Sequence, residues 1–274
     1  MRRFAVPLGN IVEAANRVAE GDYSARVVVQ QGAPSLRMVG NAFNTMASRL
    51  EAQNRQRRDL MADIAHELRT PLSVIQGRLE GLLDGVYPRD DDSIEEVIEE
   101  ARLLARLVDD LRTLANAESG TLRLQKEPTD LAVLIQDAVR SCTAEARDRH
   151  VSLGVDAPAD LPIITVDPLR IREVVTNLIS NALNHTPADG SVAIGASVRN
   201  EQMVVTVTDT GSGIAQEELP KIFDRFYKGR ASRGSGLGLT IARNLVAAHA
   251  GTIRADSLPE RGTTVTFTLP IESH

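Results

Sequence analysis

The chain has 274 residues, a formal net charge of -6, 42% hydrophobic residues and 25% charged residues. This length allows two or three domains, and the composition is that of an ordinary globular protein. The acidic balance argues against a nucleic-acid-binding protein, which usually presents a basic surface. Aromatic residues make up only 3% of the chain, so the core must be aliphatic, as in long helices and coiled coils.

Cys142 is the only cysteine. It cannot form an internal disulfide, which fits a reducing cytoplasm, and its apolar-periodic surroundings predict a core position. No segment is long and apolar enough to span a bilayer, and no signal peptide is visible. We therefore expect a chain that is itself soluble, either starting at Met1 or preceded by a membrane segment.

Two amphipathic helices are predicted at the N-terminus. The first has apolar residues at helical spacing, and a polar linker with Gly32 separates it from a second, similar pattern. The predicted seams are Leu8, Ile11, Ala15 and Val18, then Leu36, Val39, Phe43, Met46 and Leu50. Two such helices need each other, and a second copy of the chain, to bury these seams.

A helical hairpin is predicted next. Its first helix continues from the second seam through Glu51–Arg58 as far as Val86, with an interruption and a kink at Pro71. A charged turn is predicted over Tyr87–Ser93, and a second helix runs from Ile94 to Leu114. An antiparallel hairpin of this kind is half of a four-helix bundle, so we expect a homodimer.

The pattern changes after Gly120, where short apolar runs alternate with helical stretches. Strands are predicted over Val151–Val155, Ile163–Val166, Val192–Val198, Met203–Thr208, Thr252–Ala255 and Thr263–Leu269. Helices are predicted near Leu131–Arg147, Pro168–Asn184 and Leu237–Ala248. The fold class is therefore multidomain, with α-helical domains followed by an α/β sandwich that has helices on one face of a sheet.

His66 is the first candidate functional residue. It lies on the far side of its helix from Ile64 and Leu68 and should face solvent. An exposed histidine is usually an ordinary surface residue, but neutral imidazole is also a competent nucleophile near pH 7. Glu67 could accept its proton, and Thr70 shares its face one turn later. The spacing alone does not indicate phosphoryl transfer.

Asn177 and Asn181 form a second candidate site, one turn apart on the predicted Pro168–Asn184 helix, with Glu173 a turn earlier. Two such residues are more often surface residues than ligands. Amide oxygens can nevertheless bind Mg²⁺ beside phosphates.

Asp209 opens a glycine-rich sequence, Asp209–Gly213, directly after a predicted strand. It has the parity of Met203, Val205 and Val207, so it should point to the apolar side of the sheet. A carboxylate there needs hydrogen-bond donors, and a purine amino group would serve. The alternative is an ordinary turn aspartate.

A second glycine-rich sequence, Gly234–Gly238, precedes the last predicted helix. Such a loop can approach phosphates at a helix N-terminus, but the spacing matches neither a Walker A loop nor a dinucleotide fingerprint. Between the two loops, Phe223, Phe226 and Tyr227 lie among several basic residues. This segment is either a mobile cationic lid over phosphates or a plain solvated loop.

The order of these motifs resembles the sensor histidine kinases of two-component systems. His66–Leu72 looks like the phosphoacceptor box, Asn177–Ala182 like the Asn box, Asp209–Ile214 and Gly234–Leu239 like the two glycine boxes, and Phe223–Phe226 like the aromatic box. Gly262–Thr264 resembles the last glycine motif. The N-terminal segment, with Pro7, Glu20–Asp22 and Phe43–Asn44, is similar to a HAMP linker.

The resemblance implies a HAMP-like linker over 1–54, a dimerisation and phosphotransfer domain over 55–118, and a Bergerat-type ATP-binding domain over 119–274. It implies that His66 is phosphorylated from ATP with Glu67 as base, that the phosphoryl group passes to an Asp of a response regulator, and that Thr70 serves a phosphatase activity. It further implies a kinase on the cytoplasmic side of the cell membrane.

The nucleotide site implied by the resemblance has Asn177 and Asn181 on Mg²⁺ and phosphates, Asp209 on the adenine amino group and Lys228 near the γ-phosphate. The remaining implied contacts are Asn184, His185, Gly211, Gly213, Phe223, Phe226, Gly234, Gly236, Gly238 and Thr263. Many relatives have a Lys in place of Asn184 and an aromatic residue in place of His185. Two other classes remain open: an ATPase of the same fold that clamps a dimer, and a pseudokinase scaffold.

Overall fold

The computed structural model describes residues 2–28, 34–118, 121–158, 161–228 and 235–271, with side chains omitted at residues 2–8 and at residue 118. Its contacts divide the chain into two compact units, residues 1–73 and residues 74–274. No described helix is both long and apolar enough to cross a membrane.

Unit 1 contains α1 (Arg2–Ala19) and most of α2 (Pro34–Leu83). Its core consists of Ala14, Val18, Ala25, Val27, Phe43 and Ala47, with Ile11, Tyr23 and Leu50 packed against it. Within this single chain the buried positions differ from the predicted seams: Ala14 is buried where Ala15 is exposed. Val39 and Met46 are 52% and 48% exposed, as is expected of seam residues that a second copy of the chain would cover. Three of these six core residues are alanines, and Phe43 is the largest of the six. The side chain of Leu8 lies outside the described residues.

The connector between α1 and α2 is held to α2 by Asn44. Its Oδ1 accepts from the Val27 N–H at 2.8 Å, and its Nδ2 donates to the Val27 carbonyl at 2.9 Å. One amide side chain thus satisfies both backbone groups of a residue that has no strand partner. Val27 is thereby fixed with its side chain in the core of unit 1.

The predicted interruption at Pro71 is not observed, because α2 is assigned as one helix from Pro34 to Leu83 with Pro71 buried inside it. A proline inside a helix removes one hydrogen bond, and the long flanking segments continue the helix on both sides. The predicted turn is also shifted, since α2 ends at Leu83 rather than at Val86 and α3, which spans Asp91–Glu118, begins before Ile94. Asp90 explains this start: its Oδ1 accepts from the Ser93 N–H at 2.9 Å, as an N-cap does.

The rest of unit 2 is an α/β sandwich. Its elements are β1 (Glu127–Thr129), α4 (Leu131–Asp148), β2 (Ser152–Asp156), β3 (Ile164–Val166), α5 (Pro168–His185), β4 (Ser191–Arg199), β5 (Gln202–Asp209), a 3-10 turn (Leu219–Lys221), α6 (Gly238–Ala248), β6 (Thr252–Ser257) and β7 (Thr263–Pro270). β1 and β3 form a separate two-stranded sheet, and the main sheet has the order β2-β4-β5-β7-β6. Only the β2–β4 pair of this sheet is parallel.

The core of the sandwich lies between this sheet and a helical layer in which α5 packs against both α4 and α6. Along β5, Met203, Val205 and Val207 are buried and the residues between them are more exposed. This alternation confirms the predicted parity. The sequence prediction missed β1, a short polar strand that forms only by pairing with β3.

His249 joins the end of α6 to the start of α5 inside the core, with only 2% of its surface exposed. Its Nδ1 lies 2.8 Å from the Leu245 carbonyl, and its Nε2 accepts from the Asp167 N–H at 3.1 Å. These contacts define a neutral ring with the proton on Nδ1. Asp167 in turn caps α5 by accepting from the Arg170 N–H at 3.1 Å. Burial lowers the pKa of His249 below its usual value.

The hydrogen bonds of neutral His249 predict that folding stability depends on pH. The pKa of His249 is lower in the folded protein than in the unfolded chain. The contribution of neutral His249 to the free energy of unfolding is therefore complete above about pH 6.5 and is lost as the pH falls through the folded pKa. Denaturant unfolding of the wild type and of His249→Gln from pH 5 to pH 8 should show a stability difference that shrinks on acidification. A constant difference would exclude this role for His249.

Candidate active site

Asp209 lies at the end of β5 with 7% of its surface exposed, on the apolar side of the sheet as its parity predicts. Its Oδ1 accepts from the Gly211 N–H at 2.8 Å and from the Thr263 N–H at 3.1 Å. Both of these hydrogen bonds end on Oδ1, so Oδ2 can accept from a donor on a ligand. Burial raises the pKa of Asp209, and the two backbone donors and the nearby His185 partly oppose that shift.

Glycines allow the loops around Asp209 to pack this closely. A Cβ at Gly262 (φ 84°) would lie 2.0 Å from the Asp209 carbonyl oxygen, and one at Gly211 would lie 2.4 Å from the His185 carbonyl oxygen. A side chain at either position would push β5 away from β7 or from the end of α5. The first glycine loop therefore holds the end of α5, with His185, beside Asp209. Gly213 has φ 67° and packs in the same way against Leu258.

The asparagine stripe of α5 faces the start of α6. Asn177 Nδ2 donates to the Gly238 carbonyl at a long 3.5 Å, and the Cβ position of Gly238 lies 3.7 Å from the Asn177 side chain. Asn181 is half-buried one turn later. At the other end of the stripe, Glu173 pairs with Arg170 at 2.8 Å.

Asn184 is exposed, and its Oδ1 accepts from the Arg149 guanidinium at 2.7 Å. The arginine, which also pairs with Glu145 at 3.2 Å, places a cation at the C-terminal end of the stripe. The sequence prediction did not include Arg149, since it follows α4 and lies 35 residues from Asn184 along the chain.

The aromatic segment folds back onto the second glycine loop. The Phe226 N–H donates to the Gly236 carbonyl at 3.0 Å, and a Cβ at Gly236 would lie 2.8 Å from the Phe226 backbone. Thr240 Oγ1 donates to the Phe223 carbonyl at 2.9 Å. The structure thus brings Phe223, Phe226 and Gly236 together at the start of α6. Lys228 is exposed, and the predicted contact Gly234 lies outside the described residues.

His66 and Glu67 belong to unit 1, whereas the groups above belong to unit 2. His66 is exposed, as predicted, and Glu67 is half-buried. Thr70 Oγ1 donates to the His66 carbonyl at 3.4 Å. The carbonyl that Pro71 leaves without a helical donor is that of Glu67, so this hydroxyl does not compensate for the proline.

The contact between Thr263 and Asp209 uses the backbone of the threonine, while its hydroxyl lies 2.9 Å from the Ser257 hydroxyl. One further contact was not foreseen from the sequence. Ser235, inside the second glycine loop, donates to Asp110 Oδ2 of α3 at 3.4 Å. The two residues are 125 positions apart, and no sequence pattern links them.

Three family models match the chain in succession. They are the HAMP domain over residues 1–52, the His kinase A phosphoacceptor domain over residues 56–120, and the histidine kinase-, DNA gyrase B- and HSP90-like ATPase over residues 166–273. Among curated proteins, the signal transduction histidine-protein kinase BaeS of Escherichia coli is 38% identical over 99% of this chain. The chain belongs to the sensor histidine kinases. It spans 59% of the length of BaeS.

Two solved histidine kinases share the fold. The histidine kinase AdeS of Acinetobacter baumannii superposes with a TM-score of 0.67 at 28% identity, over 76% of this chain and 98% of AdeS. Full-length ShkA in complex with AMPPNP superposes with a TM-score of 0.60 at 25% identity, over 79% of this chain and 46% of ShkA. The matches to histidine kinases therefore include residues of both units of the chain.

Proposed function

We propose that this chain is a protein histidine kinase that transfers the γ-phosphoryl group of ATP to His66 and then to an Asp of a response regulator. The observation that carries this proposal is Asp209, buried with one carboxylate oxygen held by two backbone donors, together with the contact of Asn177 with Gly238 at the start of α6, in a chain that also exposes His66 beside Glu67. The corresponding domains are 1–54, 55–118 and 119–274.

These groups of unit 2 suit the binding of ATP. Asp209 is held by two backbone donors on Oδ1, so Oδ2 would accept a hydrogen bond from the adenine amino group. Phosphate oxygens would bind to the glycine loop before α6 and to the cations Lys228 and Arg149. AMPPNP bound to ShkA supports a nucleotide in this fold.

Mg²⁺ would be held by Asn177 and Asn181 together with phosphate oxygens. Among the described residues no group of three His, Cys, Asp or Glu side chains could hold a metal alone. This fits Mg²⁺, which usually keeps few protein ligands and shares the rest with substrate phosphates. When bound, the ion would neutralise charge on the phosphates.

In the proposed reaction one imidazole nitrogen of His66 attacks the γ-phosphorus. An N–P bond forms, the bond to the leaving oxygen of ADP breaks, and the proton of the other ring nitrogen passes to Glu67. Exposure of His66 suits this role because two large partners, the ATP-binding domain and a regulator, must reach it in turn.

Incubation with ATP labelled in the γ-phosphate tests the proposal. We expect label on the protein that acid removes and base does not, as for a phosphoramidate. ATP hydrolysis without protein label would instead indicate a clamp-type ATPase. Absence of both label and hydrolysis would indicate a scaffold.

A homodimer is proposed from the apolar surface of α2 and α3. Within residues 55–118, nine Met, Leu, Ile and Val side chains are 38–73% exposed: Met61, Leu72, Val74, Leu79, Leu83, Val86, Ile94, Ile98 and Val108. Burying each one would stabilise a dimer by roughly 1.5–3 kcal/mol before entropic costs. The matched HisKA domain supports this partner.

Light scattering at micromolar concentration should give twice the chain mass of 29.7 kDa. The double variant Leu79→Glu and Ile98→Glu should give the single mass, because charge on this face opposes its burial. Val155→Glu, on an exposed edge-strand residue, is the control and should remain dimeric. A monomeric wild type would contradict the proposal.

Thr70 is proposed to act in dephosphorylation of the regulator by orienting a water near its phospho-Asp. Its hydrogen bond is long and exposed, so Thr70→Ala should leave the melting temperature and autophosphorylation nearly unchanged. Regulator dephosphorylation should slow by about tenfold or more. Thr45→Ala is the matched control, because Thr45 makes the same type of bond in α2, to Asn41 at 2.9 Å. Equal loss of both activities together with a lower melting temperature would assign Thr70 a structural role.

A membrane-anchored kinase is proposed for the complete protein, with this chain on the cytoplasmic side. The support is the HAMP domain and the similarity to BaeS, of which the chain covers 59%.

A further inference from the structure

The contact between Asp110 and Ser235 joins two parts of unit 2 with different roles. Asp110 lies on α3, in the segment matched by the phosphoacceptor family, and Ser235 lies in the second glycine loop. Ser235 Oγ donates to Asp110 Oδ2 at 3.4 Å and accepts from the Leu237 N–H at 3.3 Å. The carboxylate thus orients a hydroxyl that itself fixes the turn into α6. The helices α3 and α6 also pack against each other.

Asp110 is half-buried at an open cleft of about 570 Å³ between α3 and α5. Glu173 of α5 faces it across the cleft, paired with Arg170 at 2.8 Å. The other charged groups lining this cleft are Asp109, Arg112 and Arg172, and Arg106 acts on Asp110 from its own helix.

We propose that the hydrogen bond from Ser235 to Asp110 docks the ATP-binding domain on α3 and that protonation of Asp110 strengthens this docking. The domain is docked when Asp110 is protonated, and it is released more readily when the carboxylate is charged. The cause is the site itself: Asp110 is half-buried on α3, which packs against α6, and the nearby charge of Glu173 also disfavours the charged form of Asp110. No direct cationic partner of Asp110 is among the contacts described.

Docking depends on pH because the pKa of Asp110 differs between the docked and the released forms. Burial, and then the charge of Glu173, raise the pKa of Asp110 to about 6 in the docked chain, while Ser235 and Arg106 act in the opposite direction. Released into water, Asp110 would return to its ordinary value of 3.8. The docked form therefore binds more protons between these values, and docking weakens as the pH rises toward and through 6. Because Asp110 remains partly exposed, we expect a change in the docking equilibrium of about tenfold between pH 4 and pH 7.

Distances between spin labels at Arg102→Cys on α3 and Arg254→Cys on β6 report this docking directly. Both native side chains are well exposed, at 63% and 76%, and Cys142, at 4%, stays unlabelled. Labelled chain is diluted with unlabelled chain so that pairs within one chain dominate. No nucleotide is needed, so the result does not depend on the proposed kinase activity.

The expected result is one short distance at low pH and a growing second population as the pH rises. Asp110→Asn keeps an acceptor for Ser235 without the charge, so it should stay docked at every pH. Ser235→Ala should lower the docked fraction at low pH. Asp109→Asn removes an adjacent exposed carboxylate whose charge also raises the pKa of Asp110, so this variant should still titrate, with its midpoint shifted slightly to lower pH. The proposal would be overturned if the wild-type distance did not change with pH, or if Asp110→Asn titrated like the wild type.

Discussion

His66→Gln is expected to abolish phosphorylation of the chain while leaving its affinity for ATP unchanged within about twofold. Removing the nucleophile should reduce the rate at least about a thousandfold. Affinity should persist because His66 lies in unit 1 and every proposed nucleotide contact lies in unit 2. The measurement is the rate of label incorporation, with calorimetric titration of a non-hydrolysable ATP analogue on the same preparation.

Two further variants sharpen this experiment. Glu67→Gln keeps the acceptor but removes the proposed base, so it should slow labelling by about a hundredfold or more without abolishing it. His150→Asn changes another exposed histidine, at φ 55°, a backbone conformation that asparagine tolerates. It should label like the wild type. Normal labelling of His66→Gln would show that the acceptor lies elsewhere.

Asp209→Asn is expected to lose nucleotide binding without loss of folding stability. The Gly211 and Thr263 N–H groups both donate to Oδ1, so the substituted amide must place its oxygen there. Its NH₂ group would then face the adenine amino group, donor against donor. Losing a charge-assisted hydrogen bond and leaving a donor unpaired should cost about 2–4 kcal/mol, or roughly 30- to 1000-fold in affinity.

The stability half of this prediction follows from the raised pKa of Asp209, which shows that burial disfavours its charged form. A neutral amide avoids that cost, so the melting temperature of the ligand-free variant should equal or exceed that of the wild type. Asp256→Asn, on the 71% exposed side chain of β6, is a control of equal charge change that should bind ATP normally. Unchanged affinity of Asp209→Asn would remove the residue from the site.

Strong periodicity made most of the fold predictable. The β4 strand was predicted over Val192–Val198 and is found over Ser191–Arg199, and α5 was predicted over Pro168–Asn184 and ends one residue later. Parity alone predicted the burial of Asp209, because side chains alternate strictly along a strand. The missed strand β1 has no such pattern.

Packing decided what periodicity could not. Ala14 and Ala15 fit the helical pattern about equally, and only the partner helix determines that Ala14 is buried. The placement of Asn177 beside Gly238 was predictable only as part of a family resemblance, since 61 residues separate them. The Arg149 contact to Asn184 and the Asp110 contact to Ser235 depend on exposed or half-buried polar residues. Such contacts leave no periodic trace in a sequence.

Because α2 is continuous, it fixes the orientation of His66 about the helix axis relative to the core of unit 1. Ala47, in the buried core of unit 1, and His66 lie on the same helix and in the same unit. At about 1.5 Å per residue, these 19 positions (66 minus 47) correspond to roughly 28 Å of helix. One residue inserted within Glu51–Arg58 would turn the imidazole by about 100° relative to the packed face of Ala47, whereas seven residues would return it to within about 20°. The number of residues between the linker and His66 therefore sets the direction in which His66 faces. Only insertions close to a whole number of helical turns preserve that direction.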